Sequence, residues 1–109
     1  MKLVLVLTTL GADADAPAFA RTLIEERLAA CVNVLPAMTS IYRWKGRIDQ
    51  EREQQLLIKT AVDRLEALAA RFRELHPYEL PEFIVLDAEA STAYAEWIDD
   101  SIRAGSPKP

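Results

Sequence analysis

Nitrogen and sulfur side chains able to bind a soft metal or titrate near neutral pH are scarce in this sequence. His76 is the only histidine and Cys31 the only cysteine. His76 opens the run His76-Pro77-Tyr78-Glu79-Leu80-Pro81-Glu82, which also brings a phenol and two carboxylates. A thiolate and an imidazole suit copper or zinc, and a carboxylate can complete such a set. Cys31, His76 and Glu79 are therefore metal-competent. His76 and Glu79 would also serve as acid and base if the chain were an enzyme. The spacing is not diagnostic, since Cys-x-x-Cys and His-x-x-x-His are both absent, and a lone cysteine is more often a small core hydrophobe. Lys59 follows an apolar run and could meet an anion or pair with Glu79. Tyr42 and Trp44 suit either interface packing or the wall of a binding cleft.

The elements that must position these groups can be read from periodicity. Pro77 biases His76 out of the α region and Pro81 holds Leu80 extended, so the run is a stiff corner. Before it, Val62, Leu65, Leu68, Ala69, Phe72 and Leu75 form a helical stripe. After it, Phe83 to Leu86 is a short apolar strand. Lys2 to Thr9 reads as a buried central strand. Its start also imitates a short secretion signal, with Gly11-Ala12-Asp13-Ala14 as the small-x-small pattern, but a strand there accounts better for Thr8 and Thr9. Asp13 or Asp15 can cap a helix with Pro17 in its first turn, and Ala20, Leu23, Ile24, Leu28 and Cys31 recur at helical spacing.

Cys31 to Trp44 predicts a long strand broken at Pro36, and Lys45-Gly46 a hairpin turn. Ile48 to Thr60 predicts a second long strand. Its polar portion, Asp49 to Gln55, cannot belong to the core and must project as a ribbon. Ser91 caps a last helix carrying Tyr94, Trp97, Ile98 and Ile102 on one side. Residues 1–104 read as one domain and 105–109 as a flexible tail.

The resulting order, β-α-β-β-α-β with an extra C-terminal helix, predicts an α+β, ferredoxin-like sandwich with a long hairpin between its second and third predicted strands. Helices on one side leave the other sheet face open. That face and the projecting ribbon together predict a homo-oligomer. The net charge of −4 disfavours nucleic acid and anionic membrane as partners. No apolar run is long enough to span a membrane. With one cysteine no internal disulfide can form, which fits a reducing, cytoplasmic setting.

The segments Glu26-Arg27-Leu28-Ala29-Ala30-Cys31-Val32-Asn33, Ser40-Ile41-Tyr42-Arg43-Trp44-Lys45-Gly46, Glu53 with Ile58-Lys59-Thr60, and His76 to Glu82 together resemble the divalent-cation tolerance family, CutA. Tyr94-x-x-Trp97-Ile98 fits as well, while Asp87-Ala88-Glu89-Ala90 is more acidic than the pattern. The resemblance implies a ferredoxin-like homotrimer, similar in architecture to the PII signalling proteins, whose ribbon reaches onto neighbouring subunits. It also implies a role in tolerance to divalent metals, copper especially. On that basis Cys31, His76 and Glu79 are the expected metal positions. His76, Tyr78, Glu79 and Lys59 are expected to face one cleft, closed near Trp44 by a neighbour's ribbon and flanked by Tyr42. Two alternatives remain: a PII-like sensor of a small anion or nucleotide in such clefts, which lacks a Gly-rich phosphate loop, and an enzyme using His76 and Glu79.

Overall fold

The computed structural model describes residues 2–103. The expected tail at 105–109 lies outside them. The elements are β1 (Leu3–Gly11), α1 (Ala16–Glu25), β2 (Cys31–Val34), β3 (Met38–Trp44), β4 (Arg47–Ala61), α2 (Leu65–Leu75), β5 (Ile84–Ala88) and α3 (Thr92–Ile102), with one short 3-10 turn, Val62–Arg64, leading into α2. The sheet runs β2-β4-β1-β5, and β3 extends the β2 side by pairing with the outer half of β4. Every strand pair is antiparallel. This is the α+β, ferredoxin-like arrangement that the order of patterns implies.

β1 is central because its apolar run can be covered on both sides. It pairs with β4 from Leu3↔Ala61 to Gly11↔Glu53 and with β5 from Leu3↔Ala88 to Leu7↔Ile84. Successive side chains point to opposite faces. On one face, Val4, Val6 and Ile58 pack against Leu23 of α1 and Leu68 of α2. On the other, Ile98 and Ile102 of α3 cover Leu3 and Ala61 at one end of the sheet. The rest of that second face is open: Ile84 and Leu86 of β5 are each 45% exposed.

Capping follows the local sequence. Asp15 accepts a hydrogen bond from the Ala18 N–H (3.0 Å), and Ser91 from the Tyr94 N–H (3.3 Å). The stripe through Leu28 and Cys31 predicted a longer α1, whereas the helix stops at Glu25. The cause is a reversal at Arg27, which sits at φ +57°. Its N–H bonds to the Ile24 carbonyl and the Leu28 N–H reaches back to Leu23, each at 3.0 Å. That is a Schellman closure with an arginine where glycine is usual. The Arg27 guanidinium donates to the Ser101 carbonyl (2.9 Å), which holds the residue there.

Pro36 breaks the expected long strand into β2 and β3, both paired with β4. β4 is 15 residues long, and the ribbon it forms with β3 gives the chain extents of 49 × 25 × 24 Å.

Candidate functional site

The corner after α2 is built as the prolines require. His76 leaves the helix at φ −78°, ψ 131°, while its N–H still bonds to the Phe72 carbonyl. Its ring turns inward and is buried between the rings of Phe72 (4.9 Å between centroids) and Tyr78 (4.8 Å). The Tyr78 N–H donates to Nδ1 at 3.1 Å, so Nδ1 carries no hydrogen. Nε2 therefore holds the proton and donates to the Thr9 carbonyl at 2.7 Å. Burial lowers the pKa of the imidazole, against the Thr9 carbonyl and the charge of Glu53, which favour the cation. His76 is thus a neutral brace tying the corner to β1.

One residue further, the Tyr78 hydroxyl donates to a carboxylate oxygen of Glu53 at 2.8 Å. Glu53 is only 7% exposed. Burial, followed by the hydrogen bond and charge of Glu53, pushes the Tyr78 phenol far above its ordinary range, so it stays protonated. The Gln55 amide nitrogen bridges the Thr8 carbonyl (2.6 Å) and a Glu82 carboxylate oxygen (2.9 Å). These bonds fix the corner against the inner end of the ribbon.

Residues two apart on β4 share a face with their partners on β3, here Asp49 with Tyr42 and Glu51 with Ser40. This face of the ribbon lies over the corner and encloses a cleft of about 680 Å³. Tyr42, Trp44, Asp49, Glu51 and Glu53 form one wall, and the segment from Pro77 to Glu82 forms the other. At the mouth, Lys45 Nζ meets a Glu79 carboxylate oxygen at 3.8 Å; both side chains are exposed, and such pairs contribute little. Burial and then the carboxylate of Glu51 raise the Tyr42 phenol as well.

Of the candidate residues, Tyr42, Trp44, Tyr78 and Glu79 line this cleft. His76 stands behind its wall with both nitrogens occupied by the main chain. Lys59 is elsewhere. It pairs with Leu5, whereas Glu53 pairs with Gly11, six residues along β4, which separates them by about 20 Å. The amine of Lys59 lies 5.9 Å from the Tyr94 ring centre. Cys31 is at that same end, in register with Lys59, with its thiol free. So Cys31, His76 and Glu79 do not form one group in a single chain, and no three His, Cys, Asp or Glu side chains among the described residues are placed to hold a metal ion. Within one chain, the wall near Trp44 that was expected from a neighbour's ribbon is formed by the chain's own ribbon.

Periodicity did not single out Glu53, Asp49, Glu51 or Thr9 as site residues. A signal existed for the carboxylates, which alternate along β4 across from Tyr42. None existed for Thr9, because a backbone acceptor has no side-chain signature.

Comparison with known proteins gives a consistent result. The family described as "CutA1 divalent ion tolerance protein" matches residues 4–101. The divalent-cation tolerance protein CutA of Thermus thermophilus is 42% identical over 97 residues, covering 88% of this chain and 94% of that one. Among solved structures, CutA from Synechococcus elongatus PCC7942 superposes with a TM-score of 0.88 at 41% identity, covering 94% of this chain and 91% of that one. CutA1 from Oryza sativa superposes with a TM-score of 0.89 at 33% identity, covering 96% and 97%.

Proposed function

The chain belongs to the CutA1 divalent ion tolerance family, and from that premise we propose that it is a non-catalytic metal-response protein, acting as a cytoplasmic homotrimer with copper as its principal ion. The observation that carries this reading is the open sheet face. Ile84 and Leu86 stand nearly half exposed there, and Trp97 of α3 is 47% exposed on the same side. An apolar surface of this kind is normally covered by another chain. The free Cys31 thiol is half-buried in that face, in one row with Lys59, Leu5 and Leu86. A soft thiolate selects copper over harder ions. Because Cys31, His76 and Glu79 are dispersed within one chain, assembly is the route by which donors of several chains would complete a site around Cys31.

Two measurements test this. Light scattering at micromolar concentration is expected to give the mass of a trimer, and a stable folded monomer would refute it. Calorimetric titration with copper is expected to show stoichiometric binding that disappears in Cys31→Ser, since serine is a far weaker ligand. An unchanged isotherm in the folded variant would exclude Cys31.

The PII-like alternative, a small ligand sensed in the cleft beside the corner, is supported by the size of that cavity. A nucleotide is a poor candidate for it, because the lining is rich in carboxylates and Lys59 lies at the far end of the sheet.

A further inference from the structure

We propose that the cleft between ribbon and corner binds a small organic cation, an alkyl ammonium or guanidinium compound. The inference goes beyond the metal reading and is opposite in charge to the anion alternative. It starts from Glu53. This carboxylate is nine-tenths buried, yet it has no ion-pair partner among the described residues. One oxygen accepts the Tyr78 hydroxyl, and Oε1 has no hydrogen bond among the described residues. Oε1 still reaches solvent, so a positive group entering the cleft can pair with it.

Among the described residues the cleft has one positive group at its mouth, Lys45, against several carboxylates in its lining. Asp49, Glu51 and Glu82 face the same cavity, and no lysine or arginine contributes to the lining. At the mouth Lys45 meets Glu79, and its amine lies 5.6 Å from the Trp44 ring centre. Three aromatic side chains also line the cleft, Tyr42 and Trp44 from the ribbon and Tyr78 from the corner, beside the apolar Pro77, Leu80 and Pro81. Carboxylates beside aromatic faces are what a cation with an apolar body needs, because the ring faces attract the charge and the rings cover the stem.

Metal ions fit this geometry poorly. Asp49, Glu51 and Glu53 alternate along β4, so neighbouring backbone positions stand about 6–7 Å apart and their side chains are spread along the cleft. No three acidic side chains among the described residues converge to hold an ion. A linear polyamine or an aminoalkyl guanidine distributes positive charge on that same scale. The volume of about 680 Å³ lies in the range of small-molecule sites.

The experiment is calorimetric titration of the full chain, in its native assembly, with spermidine, agmatine and ATP as separate probes. One amine per chain is expected to bind with an affinity that falls as salt rises, and ATP is expected neither to bind nor to compete. Glu53→Gln should weaken the amine at least tenfold. Glu51→Gln, at an exposed position and safe for folding, should weaken it several-fold, and Trp44→Leu likewise. Absence of amine heat up to millimolar concentration overturns the proposal. So does equal affinity in a folded Glu51→Gln/Trp44→Leu double variant, or competition by ATP. If Glu53→Gln instead dissociates the assembly while the parent shows no amine binding, Glu53 serves an interface and the proposal falls. Copper binding tested through Cys31→Ser is independent of these outcomes, so the metal reading and this one can fail separately.

Discussion

The sheet has two unlike ends. At the Glu53 end the polar groups are tied down: His76 uses both nitrogens, Tyr78 is bonded to Glu53, and Gln55 bridges β1 to Glu82. Aromatic rings back this end, with Phe72 between His76 and Phe83, 4.9 Å from each, tilted to the first and edge-on to the second. At the Cys31 end the thiol is free and the Lys59 amine lies 5.9 Å from the Tyr94 ring centre. The first end is organised before anything arrives, so a ligand there loses little entropy in the protein. The second is left incomplete by the chain, as a surface awaiting another chain would be. On the readings proposed above, amine binding falls at one end of this strand and assembly, with the copper site around Cys31, at the other.

The contrast can be broken most forcefully at Phe72. Phe72→Ala removes the ring that backs His76 and should cost about 3–5 kcal/mol. A thermal melt would show the loss, and a drop of less than a degree or two would mean that the aromatic backing is not what holds the corner.

The next effect is at His76. His76→Phe keeps a ring but leaves the Thr9 carbonyl and the Tyr78 N–H unpaired, at about 1–3 kcal/mol for each buried group. The pH dependence follows from the same bonds. In the folded chain the imidazole pKa lies below its ordinary 6.5 because the ring is buried. As pH falls through 6.5 the unfolded chain takes up a proton that the folded chain resists, so stability present above 6.5 declines below it until the lower folded pKa is reached. Melting temperature should therefore fall from pH 7 towards pH 5, less steeply in His76→Phe. Parallel curves for the two proteins would remove His76 from this role.

Smaller again is Tyr78→Phe, which deprives a buried carboxylate oxygen of its only donor at about 1–3 kcal/mol. Urea unfolding would measure it, with an unchanged midpoint counting against an ordered Tyr78–Glu53 contact. The smallest effect is expected at the other end. Cys31→Ser places a hydroxyl at a half-exposed site and should cost about 1 kcal/mol or less. A loss as large as that of His76→Phe would mean the two ends are equally well packed and the contrast is false.

Much of the fold was legible because its signals are local. Pro77 fixes the end of α2, Pro36 divides the long strand, and the apolar run from Leu3 demands a covered central strand. The site was less legible because its bonds are not local. The stretch Asp49–Gln55 reads as uniformly polar and projecting, yet Glu53 is buried, since β4 at that residue pairs with both Gly11 and Met38 and lies under Tyr78. Lys59 and Glu79 look like partners in one dimension, but register sends Lys59 to the far end. Arg27 was read through as part of a helix, because its positive φ is stabilised by Ser101, 74 residues away.

β4 has a mechanical consequence. β1 accompanies it from Glu53 inward, joined by β2 from Leu56 to Lys59; outward from Glu53 its paired strand is β3 alone among the described residues. The ribbon is a cantilever clamped at one end, and bending concentrates where the support drops from two sides to one. The cleft sits at that fulcrum. A molecule joining its two walls would brace the beam close to its clamp, so a small change in stiffness there becomes a large change in the sweep of the tip, measurable as slower hydrogen exchange of amides near the Lys45-Gly46 turn.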